Sequence, residues 1–388
     1  MLCFFVKIVT PTRRLLSHSR NYTNWYPAPV SNGILSRNDY EKFQKSIPII
    51  IEKGVQAINV LKPAELRDRM RRIAEYSTQG RKFIQSEMAI LCNEVLRKPE
   101  EIKGELQIQQ TVLAFCVQMV MAYIIIIDDI EDGSKTRNGK PCWHLLPDVG
   151  NLAMNDASMF RSFIYEILKQ NFQGSTYYDN ILNLFNEAFL TCNVGQYFDA
   201  VTVRNKNYAD FTMERYKMIA YHKFGYFASK FPVLSALILC NKFNKDSQRN
   251  IDNILTDIGI WGQIYNDLTD FFDDDKRTGK TGSDIQTGKC TWLAVTALQR
   301  CNEKQRKEFE ACYGSWEPEN VNRIRKLYED LNILNIYFHE ERATYEATVK
   351  KIQSLPSNAL PSPDFFQTIL DKYYPTVSCG ESYNIKSN

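Results

Sequence analysis

The sequence predicts an all-α protein built from long helices. Glycine and proline are scarce, at 17 and 14 of 388 residues. The segments between the breaks run for about 15–30 residues, whereas β-strands run for about 3–10. Several of these segments place apolar residues at the helical period of 3.6, and no alternating strand pattern or repeat of fixed period recurs. No linker interrupts the central part of the chain, which indicates one large helical domain.

The chain is predicted to begin with a targeting segment. Residues 1–24 mix basic and hydroxyl side chains with leucines, and the first acidic residue is Asp39. This composition is typical of a mitochondrial presequence, with an unstructured tail on a cytoplasmic protein as the alternative. We predict a presequence or disordered arm over residues 1–35, a single all-helical domain over 36–375 and a disordered tail over 376–388. The early basic residues are Lys7, Arg13, Arg14 and Arg20.

Composition excludes several classes of function. The net charge of +3 comes from 48 basic and 45 acidic side chains, which gives no indication of nucleic-acid binding. Ten cysteines are scattered without paired spacing, which favours a reducing compartment and argues against a zinc site. The four histidines are too dispersed in the sequence to form a metal cluster.

An apolar segment that ends in acidic residues is the first candidate site. Residues 111–127 are almost entirely apolar, but they fall short of the ~20 residues that a membrane span needs. Asp128 and Asp132 share one face of a helix, with Asp129 beside them. Neighbouring carboxylates repel one another unless a hard divalent cation binds them, so this spacing predicts a metal site rather than a merely solvated helix end. Arg137 follows closely and is placed to meet the bound anion.

A second acidic cluster has helical spacing of its own. Asn266, Asp270 and Asp274 are spaced i, i+4 and i+8, and Asp267 flanks them. Two such helices facing each other would form a cage of oxygen ligands above an apolar cavity. Lys280 and Lys289 lie just beyond, in a loop rich in glycine, and magnesium with basic side chains is a common way to hold a diphosphate.

A third segment carries polar residues on a buried face. Residues 181–192 form an apolar stripe of period 3.6, and Gln196 and Asp199 continue that face. Polar groups that reach a core need partners. The two side chains either line a site or make a buried structural hydrogen bond.

These motifs resemble the trans-isoprenyl diphosphate synthase family, of the farnesyl diphosphate synthase type. The resemblance covers roughly residues 40–375 and rests on four stretches in this order: DDIED, TRNGKPCW, GQYFD and TGKTGSDIQTGKCTW. It implies an isoprenoid-synthase helical bundle around a central cavity, with two facing acidic metal motifs. It also implies Mg²⁺, three ions per site, an allylic diphosphate substrate and a homodimer.

The resemblance assigns roles residue by residue. The implied catalytic residues are Asp128, Asp129, Arg137, Lys223 and Lys280. The implied metal ligands are Asp128, Asp129, Asp132, Asn266, Asp267, Asp270 and Asp274. The implied substrate-binding residues are Lys82, Tyr123, Gln196, Asp199, Phe224, Gln263 and Lys289. Among these, the aromatic ring of Tyr123 implies a pocket floor sized for a C15 chain.

The departures from the family pattern concern a second diphosphate. In the pocket for isopentenyl diphosphate, Gln85 replaces an arginine, Met121 a glutamine and Asn138 an arginine. Lys82 is retained, and Arg81 could restore one charge. Each lost charge-assisted hydrogen bond is worth about 1.5–3 kcal/mol. At the second acidic motif, an asparagine also stands in place of an aspartate.

These departures favour a terpene synthase of the insect type. Such an enzyme would convert farnesyl diphosphate to a sesquiterpene hydrocarbon or alcohol with release of diphosphate, products that in similar proteins often serve as pheromone precursors. One alternative is a chain-elongating prenyl diphosphate synthase making geranyl or farnesyl diphosphate. Another is a non-catalytic partner subunit, which the retained acidic motifs disfavour.

Aromatic faces could shelter a carbocation in the cavity. For each of these rings, plain core packing is the competing interpretation. The candidates are Tyr123, Tyr197, Phe198, Phe224, Phe227, Trp261 and Tyr265.

Overall fold

The computed structural model describes residues 33–78, 83–205, 207–272 and 282–374. Within these ranges the protein is helical apart from one short hairpin, which confirms the predicted all-α class. The first helices are α1 (Arg37–Ala57), α2 (Ala64–Thr78), α3 (Ile84–Leu96), α4 (Glu105–Glu131), α5 (Leu152–Phe172), α6 (Tyr178–Asn205) and α7 (Met213–Ala220). A π-helix (Tyr221–Lys230) then leads into α8 (Phe231–Leu239) and α9 (Lys245–Phe271). The last helices are α10 (Asp284–Thr287), α11 (Trp292–Arg300), α12 (Glu303–Cys312), α13 (Pro318–Asp330), α14 (Ile333–Gln353) and α15 (Pro363–Tyr373).

Helix α4 is the central helix of the bundle. It packs against α2, α3, α5, α6 and α8, so it is apolar on nearly every side. Among the described residues it alone is long and apolar enough to cross a membrane, but 78% of its most apolar window is buried inside the protein. It therefore behaves as a core helix that delivers its carboxyl end to one end of the bundle.

The π-helix lies between α6 and α9 and brings both very close. A Cβ atom added at Gly195 of α6 would lie 2.2 Å from the backbone nitrogen of Lys223, and one at Gly259 of α9 would lie 2.5 Å from the carbonyl oxygen of Gly225. Side chains at these glycines would force the helices apart. The glycines therefore set the position of Lys223 relative to α6 and α4. A π-helix is uncommon and often marks a functional site.

One buried carboxylate holds the segment that precedes α1. Glu87 of α3 is almost fully buried and accepts hydrogen bonds from the backbone nitrogens of Ile34 and Leu35, the latter at 3.0 Å. These contacts place the chain against α3 just before α1 begins. Residues 1–32 of the predicted arm lie outside the described residues, whereas Ile34 and Leu35, which the prediction also assigned to the arm, are held against α3. The boundary predicted at residue 35 stays a prediction.

We expect a shortened chain that begins at Gly33 to fold and to keep its free energy of unfolding. A chain that begins at Arg37 should lose stability, because a buried acceptor left without donors costs about 1–3 kcal/mol. Urea unfolding of the two forms, followed by circular dichroism, tests this comparison. Loss of folded protein in the form that begins at Gly33 would mean that the preceding segment packs on the domain.

The C-terminal helix α15 closes the bundle against α9 and α14. Tyr374 stacks on Trp261 of α9 with ring centroids 5.2 Å apart and an interplanar angle of 13°. The hydroxyl of Tyr373 donates to the carbonyl oxygen of Ala228 in the π-helix at 2.7 Å. The predicted tail after residue 375 lies outside the described residues.

Candidate active site

The first acidic motif lies at the end of α4, where a hairpin folds back over it. The strands β1 (Thr136–Arg137) and β2 (Lys140–Pro141) pair antiparallel across Asn138 and Gly139, whose φ angles are +53° and +73°. An Asn-Gly pair suits such a two-residue turn, because both residues tolerate positive φ. The hairpin returns the guanidinium of Arg137 to the end of α4.

That guanidinium contacts two acids of the motif. Nη2 of Arg137 lies 3.1 Å from Oδ2 of Asp128, and Nε donates to Oδ1 of Asp129 at 3.0 Å. The carboxylates of Asp128 and Asp129, which would otherwise repel each other, are thereby neutralised in part. The predicted proximity of Arg137 to the motif is observed.

Two lysines extend this contact into an alternating row of charges. Nζ of Lys223 lies 2.9 Å from Oδ1 of Asp128 and 2.6 Å from Oδ2 of Asp199. Nζ of Lys289 contacts that same Asp199 oxygen at 2.6 Å and Oδ1 of Asp132 at 2.5 Å. One aspartate of α6 thus joins two lysines from distant parts of the chain, and each lysine reaches one acid of the first motif.

Burial and charge set the ionisation of this row. Burial alone would raise the pKa of Asp199, but the ammonium groups of Lys223 and Lys289 outweigh burial and hold that pKa below its ordinary value. Burial disfavours the charged form of each lysine, yet the adjacent carboxylates hold both lysine pKa values above their ordinary range. The site therefore keeps buried ammonium groups charged at neutral pH.

Gln196 joins the same cluster one turn before Asp199. Its Nε2 donates to Oδ1 of Asp128 at 3.1 Å, across from α6 to α4. The sequence left a site and a buried structural hydrogen bond as alternatives for Gln196 and Asp199. Both side chains are buried and both contact the acid–base cluster, which places them at the candidate site.

The second acidic motif, on α9, is arranged differently. Asn266 is exposed, whereas Asp267 keeps 3% of its surface. The carboxylate of Asp267 accepts from Nε2 of Gln263 at 2.7 Å and from the backbone nitrogen of Trp292 at 2.9 Å. Burial raises its pKa well above the ordinary value of an aspartate. Asp267 thus faces the packing between α9 and α11, and its predicted role as a metal ligand stays a prediction.

Asp270 lies one turn after Asn266 and contacts the backbone at the start of α10. Its Oδ2 accepts from the backbone nitrogens of Ser283 and Asp284, at 3.0 and 2.9 Å. The same carboxylate was predicted as a metal ligand, which these contacts do not test. Three other predicted site residues lie outside the described part of the chain: Lys82, Asp274 and Lys280.

The first motif fits magnesium by the chemistry of its donors. Carboxylate oxygens are the ligands that hard divalent cations take, and the side chains of Asp128 and Asp132 remain 14% and 16% exposed. Across the described ranges, no three acidic, histidine or cysteine side chains form a group that could hold an ion. The two aspartates are instead each held by a lysine.

The three positions of the predicted second-diphosphate pocket lack charge in the folded protein. Gln85 is buried on α3, Met121 is half-buried on α4, and Asn138 occupies the hairpin turn. The possible substitute Arg81 and the retained Lys82 lie outside the described residues. None of these three side chains carries a charge, and the thioether of Met121 donates no hydrogen bond.

Three of the seven aromatic candidates lie in clearly different surroundings. Tyr197 is 62% exposed on α6, so the prediction that it lines the cavity was wrong. Trp261 packs between Tyr337 and Tyr374, which matches the core-packing interpretation. Phe224 is half-buried and directly follows Lys223, whose ammonium belongs to the row of charges.

The chain is similar to enzymes of isoprenoid metabolism. A sequence profile of the polyprenyl synthetase family matches residues 67–331. The farnesyl pyrophosphate synthase of Murgantia histrionica is 31% identical over 342 residues, which cover 88% of this chain and 83% of that protein. The chloroplastic monoterpene synthase FDS-5 of Artemisia spiciformis is 33% identical over 310 residues, covering 79% and 78%.

Solved structures show the same likeness. A farnesyl diphosphate synthase of T. brucei, complexed with a bisphosphonate, superimposes with a TM-score of 0.79 at 28% identity. The match covers 87% of this chain and 98% of that one. The helical bundle and its order are therefore shared along nearly the whole of that structure.

Proposed function

Because the chain belongs to the polyprenyl synthetase family, we propose that it is a magnesium-dependent enzyme that breaks the C–O bond of an allylic diphosphate. The observation that carries this proposal is the row of acids and buried ammonium groups at the end of α4. Members of this family use magnesium. An oxygen-rich motif beside cations kept charged in a buried site suits a metal-bound diphosphate.

The residues of the row have separate tasks in this proposal. Asp128 and Asp132 would hold magnesium, with a total of three ions per site. Lys223, Lys289 and Arg137 would turn from these aspartates to the diphosphate, while Asp199 keeps the two lysines in place. Magnesium supplies positive charge that stabilises the leaving diphosphate. The cleavage leaves an allylic cation, and the pair of bond electrons departs with the diphosphate oxygen.

The comparisons favour chain elongation, the alternative interpretation of the sequence, over a terpene synthase. The relatives that cover most of this chain are named farnesyl pyrophosphate synthases, from plants and from insects. In this reaction the alkene of isopentenyl diphosphate attacks the cation, a C–C bond forms, and a proton is lost. The product would be geranyl or farnesyl diphosphate.

One observation keeps terpene synthesis as the second candidate. Gln85, Met121 and Asn138 carry no charged side chain at the three positions predicted to hold the second diphosphate. Without a second substrate, the cation of farnesyl diphosphate would react within its own chain and then lose a proton or take up water. The enzyme would then release a sesquiterpene, and one relative bears the name of a monoterpene synthase.

Two incubations of the purified enzyme with magnesium distinguish these reactions. Farnesyl diphosphate alone should yield C15 volatiles if the enzyme is a terpene synthase. Dimethylallyl and isopentenyl diphosphate together should yield longer diphosphates if it elongates chains. The proposed function would be contradicted if neither mixture released diphosphate and allylic diphosphates of other chain lengths released none either.

The floor of the cavity is proposed to be Tyr123. Its buried ring meets Phe189 of α6 edge-on at 5.0 Å. We expect Tyr123→Ala to raise kcat/KM for C20 relative to C15 allylic diphosphates, because the tail of a C15 chain should end near that ring. Tyr165 packs on Phe189 from α5, and Tyr165→Ala should leave the preference unchanged. An unaltered chain-length preference in Tyr123→Ala would place the floor elsewhere.

Two further properties are proposals from the sequence. The basic segment of residues 1–24 supports import into mitochondria, and fusing that segment to a fluorescent protein tests it. Diffuse cytoplasmic fluorescence would favour the cytoplasmic alternative. The family resemblance supports a homodimer, which light scattering of the purified protein tests.

A further inference from the structure

Gly262 of α9 is covered by two aromatic rings from different helices. A Cβ atom added there would lie 2.8 Å from Cε1 of Phe224 and 3.0 Å from Cε1 of Tyr373. Both distances are shorter than van der Waals contact allows, so any side chain at this position would displace a ring. The absence of a side chain at Gly262 is what lets the two rings lie against α9.

Each ring is supported on its other side. The hydroxyl of Tyr373 donates to the carbonyl oxygen of Ala228 at 2.7 Å, which ties α15 to the π-helix. The ring of Phe224 meets Phe227 edge-on, with centroids 5.6 Å apart. Tyr374, which directly follows Tyr373, is stacked on Trp261 of α9 and so also holds the end of α15 against α9. The positions of Phe224 and Tyr373 are therefore determined by packing and by one partly buried hydrogen bond.

The ring of Phe224 lies one helical turn from the predicted metal ligands of α9. Gly262, Asn266 and Asp270 are spaced i, i+4 and i+8, so they share a face, with about 6 Å of rise between neighbours. Phe224 also follows Lys223, whose ammonium contacts Asp128. The ring therefore lies between the α9 motif and a residue whose neighbour belongs to the row of charges, and we infer that the first carbons of an allylic chain would lie beside it. It is half-buried, which leaves part of its surface open.

We propose that Gly262 and Tyr373 are positioning residues that hold the Phe224 ring as an aromatic wall beside the allylic cation. An aromatic face attracts a cation within about 6 Å of the ring centroid, and more strongly where water is excluded. The inference rests on the proposed function to the extent that an allylic cation forms. It does not depend on whether elongation or cyclisation follows, because the cation precedes both.

The test uses stable mimics of the cation. The first probe is a prenyl chain that ends in a trimethylammonium group, and the second is its neutral isostere with a tert-butyl group. Calorimetry measures the affinity of each probe in the presence of magnesium and inorganic diphosphate. We expect the unaltered enzyme to bind the cationic probe at least about threefold more tightly than the neutral one, as a cation–π contact predicts.

Gly262→Ala should abolish that preference, because the added methyl group displaces the ring. The matched control is Gly54→Ala in α1, where a Cβ atom would meet Ile167 at 2.9 Å and Phe163 at 3.0 Å, between helices of the core. The control tests whether a crowded glycine anywhere in the bundle has the same effect, and it should keep the preference. Phe224→Leu should also lose the preference, and adding Gly262→Ala to it should cause no further loss.

Tyr373→Phe separates the hydrogen bond from the ring. It keeps the aromatic ring and removes only the bond to Ala228, so the preference should fall by less than in Gly262→Ala. With an allylic diphosphate as substrate, both variants should lower kcat more than they raise KM, since the wall acts on the cation and not on the diphosphate.

The outcomes separate this inference from the proposed function. Binding of inorganic diphosphate that needs magnesium, with equal affinity for both probes, would overturn the aromatic wall and leave the proposed function standing. An unchanged cation preference in Gly262→Ala would overturn the positioning role. Absence of magnesium-dependent diphosphate binding in the unaltered enzyme would overturn both.

Discussion

Asp128→Ala is expected to lower the rate of diphosphate release by about a thousandfold or more. Asp128 is the acid that Arg137, Lys223 and Gln196 all contact, so it is proposed to hold magnesium at the leaving group. A metal ion contributes several kcal/mol to stabilisation of charge in the transition state, and each 1.36 kcal/mol is a factor of ten in rate. Release of diphosphate from farnesyl or geranyl diphosphate, measured over a magnesium titration, tests this expectation.

The matched control for this change is Asp148→Ala. Asp148 lies in the same part of the chain, also pairs with arginines, and is 55% exposed on the surface. Surface ion pairs contribute little, so its loss should leave activity nearly unchanged. Circular dichroism establishes that both variants are folded. A folded Asp128→Ala enzyme that releases diphosphate at the parental rate would mean that the site is misassigned.

The triple change Gln85→Arg, Met121→Gln and Asn138→Arg is expected to raise chain elongation by about a hundredfold. It returns two charges and one amide to the pocket predicted to hold the second diphosphate. If each donor recovers half of a charge-assisted hydrogen bond, the sum is several kcal/mol, or about 10²-fold in binding. Elongation of dimethylallyl diphosphate, measured over a range of isopentenyl diphosphate concentrations, is the test. The volatile yield from farnesyl diphosphate should fall when isopentenyl diphosphate is present.

Two of these substitutions are expected to destabilise the folded protein. Gln85 keeps only 6% of its surface, so an arginine there needs the incoming diphosphate as its partner. Asn138 has a φ of +53°, a conformation that asparagine tolerates better than arginine. We therefore expect the gain to appear as a lower KM for isopentenyl diphosphate rather than as greater stability.

A control must show whether any gain in elongation comes from the added positive charge alone or from its position in the pocket. Gln107→Arg with Asn183→Arg adds the same two charges at exposed positions of α4 and α6 and should leave elongation unchanged. Efficient elongation by the unaltered enzyme would remove the terpene synthase candidate. A folded triple variant with no gain would show that other residues, such as Arg81 or Phe224, also close that pocket to the second substrate.

The helical class and the first motif could be predicted because both depend on local spacing. The apolar segment before Asp128 can be buried only inside a bundle, and acids one turn apart must share a face. The approach of Arg137 was expected only from its nearness in sequence, and the structure supplies the Asn-Gly turn that produces it. The sequence alone did not decide between chain elongation and terpene synthesis. Counting donors at Gln85, Met121 and Asn138 favoured terpene synthesis, whereas the similarity to a farnesyl pyrophosphate synthase over 88% of the chain supports the proposed elongation.

What the sequence determined by itself is which side chains share a helix face, because that depends only on the helical period. Which face meets a neighbour depends on the rotation and packing of whole helices, and only the tertiary structure decided it. Asp267 turns towards Trp292, and Asp199 joins lysines 24 and 90 residues away. The contacts of Gly262 with Phe224 and Tyr373 arise the same way. A π-helix changes the angle between successive residues, so the direction of the Phe224 side chain cannot be read from the regular helical period. The ring of Tyr373 lies more than a hundred residues after Gly262 in the sequence, and only the packing of the helices brings the two together.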